Sequence, residues 1–184
     1  YYESALTSIF DAILSSAHPN ARVLDVGGNI GWFTMVSASN LHHVDVFEPN
    51  QINVIRQCQT MWMNRWDNEY QDASIAKRTQ KKPTVNIRPF AVGSNSSTMK
   101  LLIGRNPGKA TFLASMLPKW RKPSFEIDVP VVTLDEMATD LGWFTNPVPI
   151  VILKVDVEGF EPPVFFGAKK LLASGMIENI LMEM

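Results

Sequence analysis

Apolar positions recur at helical spacing through residues 4–15, at Leu6, Ile9, Phe10, Ile13 and Leu14, and predict an opening helix with one apolar face. His18-Pro19-Asn20 ends it, and residues 21–26 then read as a short buried strand. A helix follows from about Ile30 to Ser39, and a second strand over 42–50 is stopped by Pro49. The next helix, 51–66, carries Ile55, Cys58, Trp62 and Trp66 roughly on one face. Residues 84–93 predict a third strand, and 94–125 are irregular with one strand-like piece at 99–103. The stretch from Phe125 to Thr133 alternates as a half-exposed strand. Thr133 and Glu136 form a capping box for a helix over 134–141, which Gly142 can close. The near-continuous apolar run beginning at Pro149 suits a strand covered on both faces. Pro162 and Pro163 fit the first turn of a helix that runs to Gly175, and a last strand starts at Ile177.

Strands alternate with helices, so the chain reads as an α/β fold with a mainly parallel sheet. Its 184 residues suit one domain, 1–184, with an elaborated region at about 94–130. The net charge of −1 offers no basic field for nucleic acid or an acidic membrane. Cys58 is the lone cysteine and falls at helical spacing among apolar residues, so a buried thiol is expected. No run reaches the length of a membrane span. A soluble, cytoplasmic domain is the expectation, although a chain opening at Tyr1 is expected to have lost residues, with room for a targeting segment among them. Oligomeric state is not legible.

The first strand ends in Asp25-Val26-Gly27-Gly28-Asn29-Ile30-Gly31, directly before a helix. Glycines permit a tight turn and also the close approach of a ligand, and Asn29 tolerates a positive φ. Neither the dinucleotide fingerprint nor the phosphate loop is present. The second strand ends in Glu48, where a carboxylate can hold a ribose diol. A tight turn beside a solvated acid is the plain alternative. Turn, acid and strand order together favour a nucleoside without pyrophosphate.

A second constellation lies near the end of the apolar strand that begins at Pro149. If the strand runs far enough, Lys154, Asp156 and Glu158 project to one side. A buried lysine needs a partner, and Asp156 is one candidate. The lysine can be a tie between strands, while Asp156 or Glu158 can serve as a base. His18, His42 and His43 show no metal-ligand spacing, and no metal site is expected. Trp120 and Arg121, in a basic-aromatic stretch at 118–123, can belong to a lid or a solvated loop. The 77–83 stretch reads as a solvated basic connection, and Asn95-Ser96-Ser97 is a sequon that matters only in a secreted protein.

The stretches VLDVGGNIGWFT, VFEPN, AVG, VPVVTLDEM and ILKVDVEGFEPPVFFGAKKLL together resemble the FkbM-type methyltransferases, class I S-adenosylmethionine-dependent enzymes. The resemblance spans most of 20–184 and implies a Rossmann-like class I methyltransferase fold of strand order 3-2-1-4-5-7-6. It also implies methyl transfer from S-adenosylmethionine, typically to oxygen; the leading expectation is a small-molecule or glycan acceptor, and the net charge gives no reason to expect nucleic acid. By matching position, Asp25, Gly27, Gly28, Asn29 and Gly31 flank the methionine part of the cofactor, Glu48 holds the ribose, and Phe90 and Ala91 lie near the adenine. Gly28 replaces a more usual alanine, expected to be a harmless change. The last two strands of the class are missing, so an incomplete domain with an exposed apolar edge strand is expected. A non-catalytic module of the same fold and a different nucleotide-binding enzyme, such as a dehydrogenase, are the competing readings.

Overall fold

The computed structural model describes residues 4–18, 21–66, 83–104, 110–112 and 125–182. In chain order the elements are α1 (Ser4–Ser16), β1 (Arg22–Val26), α2 (Trp32–Ser39), β2 (His43–Phe47), α3 (Gln51–Asn64), β3 (Val85–Arg88), β4 (Ala91–Val92) and β5 (Ser97–Ile103). They continue with β6 (Ala110–Thr111), β7 (Phe125–Val132), α4 (Leu134–Asp140), β8 (Ile150–Val155), α5 (Glu161–Phe166), α6 (Lys169–Ala173) and β9 (Ile180–Met182).

The main sheet has the order β3-β2-β1-β8-β9, with every pairing parallel. Apolar strands are covered on both faces, as a parallel sheet requires. On one face Val23, Val44, Val46 and Ile152 pack with Phe10 and Leu14 of α1 and Phe33 of α2. On the other, Leu24, Val26, Phe47, Leu153 and Val155 pack with Leu134 of α4, Val164 of α5, Leu171 of α6 and Trp143. This is the Rossmann-like α/β arrangement expected. Strand order reverses between β1 and β8, and such a reversal opens a crevice at the carboxyl ends of the strands.

Four local expectations need correction. The strand over 84–93 is two strands: Pro89 offers no backbone N–H, and β4 leaves the main sheet to pair with β7. The region after it contains a second sheet, β4-β7-β5-β6, with its own apolar cluster of Ala91, Leu101, Ile103, Val129 and Val131. The helix after Pro163 is interrupted at Gly167, where an added Cβ would lie 1.9 Å from the Gly93 carbonyl oxygen. The inner face of α3 is not the expected one. Asn53, Gln57 and Met61 are buried, while Ile55, Trp62 and the thiol of Cys58 are exposed. The reason is tertiary: that side of α3 lies against a polar loop. The Thr133–Glu136 capping box is present as predicted. At β9, Ile180 and Met182 are exposed on the last strand of the described sheet. No described helix is long and apolar enough to cross a membrane.

Candidate functional site

The crevice is set by how closely β1 and β8 approach. Parallel pairing places Asp25 beside Lys154 and Val26 beside Val155. Just past the strands, a Cβ on Gly27 would lie 1.8 Å from the Asp156 carbonyl oxygen. Only glycine permits that contact, and φ at Gly27 is +80°. At Gly28 an added Cβ would meet Val46 Cγ2 at 2.2 Å. Alanine there is therefore not interchangeable with glycine in this chain. Both glycines serve tight packing between strand ends, so their missing side chains are accounted for by protein neighbours.

The loop is tied to the end of β2. Gly27 and Gly28 donate backbone hydrogen bonds to the Phe47 carbonyl at 2.9 and 3.1 Å. Asn29, at φ +50°, donates its N–H to Glu48 Oε2 at 2.7 Å. The other carboxylate oxygen accepts from the Asn50 N–H at 2.8 Å, and the Asn53 side chain also hydrogen-bonds the carboxylate. Asn50 in turn caps α3, accepting from the Ile52 N–H. Glu48 is only 5% exposed. Burial pushes its carboxyl up to about 7; the Asn50, Asn29 and Asn53 hydrogen bonds oppose that rise, and the nearby charge of Asp25 adds to it.

Beneath the loop, Lys154 is buried with its ammonium 3.2 Å from Asp25 Oδ1 and 3.5 Å from Asp156 Oδ2. It also donates to the Gly27 carbonyl at 3.1 Å, and it lies over the Phe33 ring. The hydroxyl of Thr34 donates to Asp25 Oδ2 at 2.7 Å. Burial acts to lower the lysine's pKa, but the charges of Asp25 and Asp156 outweigh it and the net direction is upward. Lys154 thus stays a cation and joins β1, β8 and the loop.

Strand β8 stops at Val155, so the alternation does not carry on to Glu158. Glu158 sits in a left-handed turn at φ +52°, exposed. The carboxylate of Glu161 holds that turn, accepting from Val157 N–H and Gly159 N–H at 3.1 Å each. From the second sheet, Thr111 donates to the Glu158 carbonyl at 3.1 Å, and Phe112 packs on Phe160 with ring centroids 4.9 Å apart. The elaborated region therefore borders the crevice. Phe90 is half-buried just after β3, whose Arg88 carbonyl accepts from the Glu48 N–H, whereas Ala91 is buried in β4 of the second sheet.

The fold thus brings Asp25, Gly27, Gly28, Asn29, Gly31 and Glu48 to one loop, with Lys154 and Asp156 against it; Glu158 lies farther round the turn. Sequence reasoning missed Thr34, Asn53, Gln57 and Glu161. Asn50, Asn53 and Gln57 at spacings of three and four were a readable polar stripe on α3. His42 is buried, its ring nitrogen 3.1 Å from the Leu14 carbonyl oxygen. Among the described residues no group of three His, Cys, Asp or Glu side chains is placed to hold a metal. Trp120, Arg121 and nearly all of 77–83 lie outside the described residues.

A sequence model of the FkbM methyltransferase domain matches residues 25–184. No curated protein sequence matches. Among solved structures the chain is similar to a SAM-dependent methyltransferase from Agrobacterium tumefaciens, at 8% identity and a TM-score of 0.42, over 84% of this chain and 31% of that one. The chain spans less than a third of that protein's length.

Proposed function

The chain belongs to the FkbM methyltransferase family, and we propose that it is an S-adenosylmethionine-dependent methyltransferase domain acting on a hydroxyl of a small metabolite or glycan. One observation carries the reading: a buried carboxylate, Glu48, is fastened to the turn after β1 at the point where strand order reverses.

The residues fit the nucleoside part of the cofactor. A carboxylate offers about four lone-pair positions. Asn29, Asn50 and Asn53 occupy three of them. One ribose hydroxyl can be accepted directly, and a second when Asn53 turns away. In this reading Asp25, Gly27, Gly28, Asn29 and Gly31 flank the methionine part, with Phe90 and Ala91 towards the adenine. When bound, S-adenosylmethionine supplies a methyl group already activated on a positively charged sulfur.

The chain's own residues then have three tasks. They bind the nucleoside at Glu48, align the acceptor, and take the acceptor's proton. Asp156 is the better placed of the two acids to take that proton, because its side chain is 17% exposed at the end of β8 and the Lys154 ammonium 3.5 Å away holds it in position. Glu158, farther out on the exposed turn, can orient the acceptor. Lys154 ties the strands and keeps Asp156 in place. The edge formed by Thr111 and Phe112 is suited to shaping acceptor choice, which the fold itself does not dictate.

Calorimetry of the full chain with S-adenosylmethionine and with its demethylated product tests the reading. Binding of both is expected, and heat from neither overturns it. Binding without turnover across broad hydroxyl acceptors would favour the non-catalytic module.

A further inference from the structure

We infer that Gln57 is a positioning residue for the loop after β1, and through that loop for the nucleoside site proposed above, on which the inference rests. Gln57 lies on α3 with no exposed surface. An amide buried this way is costly unless it is hydrogen-bonded. Its helix also turns the wrong way for ordinary packing: Asn53 and Gln57 face inward while Ile52, Ile55 and Trp62 face solvent. Met61 is buried on the same face, but one methionine against three exposed apolar side chains does not select that orientation, so a polar partner on the inner side is needed as well.

The loop is that partner. Gln57 Nε2 donates to the Asn29 carbonyl at 2.7 Å. The amide orientation follows from chemistry, since a carbonyl only accepts and the group facing it must be the NH2. The stem lies under Gly31, where an added Cβ would be 3.0 Å from Gln57 Cγ, and the amide lies beside Gly28, where it would be 3.1 Å from Nε2. One side chain thus touches the loop at Gly28, Asn29 and Gly31.

The consequence follows from which peptide groups are pinned. The Asn29 N–H belongs to the peptide before its α-carbon and is held by Glu48. The Asn29 C=O belongs to the peptide after it and is held by Gln57. Fixing both peptides fixes φ and ψ of a residue in the sparsely populated left-handed region. The start of the loop is held separately, by Gly27 and Gly28 donating to the Phe47 carbonyl and by Lys154 donating to the Gly27 carbonyl, and the Glu48 and Gln57 bonds add the restraint at Asn29 itself. Gln57 therefore keeps the Asn29 N–H aimed at Glu48, and keeps the carboxylate turned towards a sugar.

The test uses the full chain with Gln57→Met, which keeps the volume and loses the donor, and Gln57→Glu, which keeps shape and polarity but replaces the NH2. Each is measured by calorimetry with the demethylated cofactor product, by thermal unfolding, and by hydrogen exchange at the Asn29 amide. The expected result is about tenfold weaker binding and faster Asn29 exchange, in variants that still fold cooperatively. Unchanged affinity and unchanged exchange overturn the inference. Loss of folding in both variants also overturns it, by assigning Gln57 to the core alone. If the unmodified chain binds no cofactor product, the methyltransferase reading fails, while Asn29 exchange in the variants still decides whether Gln57 holds the loop.

Discussion

The backbone N–H of Asn29 and the carboxylate of Glu48 meet at 2.7 Å, joining the turn after β1 to the end of β2. The two residues come from different strand–helix units, and the contact turns two adjacent strand ends into one polar hollow. Protein, not solvent, surrounds the acid, and that burial makes it sensitive to pH.

Removing that acid tests the hollow directly. Glu48→Ala should weaken binding of S-adenosylmethionine or its demethylated product by ~1–3 kcal/mol, the usual loss when a hydrogen-bonding partner disappears from a buried site. Calorimetry reads the change, and equal affinity in the variant would remove Glu48 from the ligand's contacts.

Glu48 also predicts a pH dependence. Its carboxyl is raised in the fold from 4.5 to about 7, so the folded chain holds the proton more tightly than the unfolded one. The corresponding stability is fully present below about 4.5 and is lost as pH rises to about 7. In urea titrations, Glu48→Gln should gain on the unmodified chain between pH 5 and 8. Hydroxyl donors favour the ionised acid, so cofactor binding near pH 6 should release protons, visible in calorimetry as a dependence of heat on the buffer's ionisation enthalpy.

Lys154 is the counterion of two acids. Lys154→Met leaves Asp25 and Asp156 close together without their cation, and should cost ~3–5 kcal/mol of stability, the range for breaking a buried pair. Adding Asp25→Asn should return part of the loss. Denaturant midpoints of the three proteins check this, and a near-silent Lys154→Met would contradict the buried network.

Gly28→Ala should destabilise the chain, because the new methyl would lie 2.2 Å from Val46 Cγ2. Overpacking of this kind typically costs ~1–3 kcal/mol. The double variant Gly28→Ala/Val46→Ala should recover stability relative to Gly28→Ala, since the second change removes the clashing methyl. A melting temperature unmoved by Gly28→Ala would show that the strand ends yield easily.

Asp156→Asn separates binding from chemistry. Cofactor affinity should hold within about threefold, as Asp156 is assigned to the acceptor side, while turnover of a hydroxyl acceptor should fall by ~10²–10⁴, the usual worth of a positioned base. Unchanged turnover would move the base elsewhere.

Much of the scaffold was legible along the chain. The period of apolar residues gave the main helices and strands, and the Thr133–Glu136 box, the paired prolines and Gly142 marked ends by local chemistry alone. Asp25, the glycine turn, Glu48, Lys154 and Asp156 could be singled out because their residue types are conspicuous at strand ends. The second sheet was not legible: pieces of β5 and β7 could be read as strands one by one, but their antiparallel pairing joins segments distant in sequence, which no local pattern records. Nor was the inner face of α3, because burial there answers to a loop contributed by another part of the chain.

What the sequence determined by itself was local: periodicity, caps, and the positions of a flexible turn and of the acids. Those properties depend on each residue and its near neighbours along the backbone. Only the tertiary structure decided that Gly27 is bare to admit the Asp156 carbonyl, that Lys154 serves Asp25 and Asp156 together, and that Gln57 faces inward. Each of these is set by distances between strands and helices far apart in the chain, and it is packing, not spacing along the sequence, that fixes them.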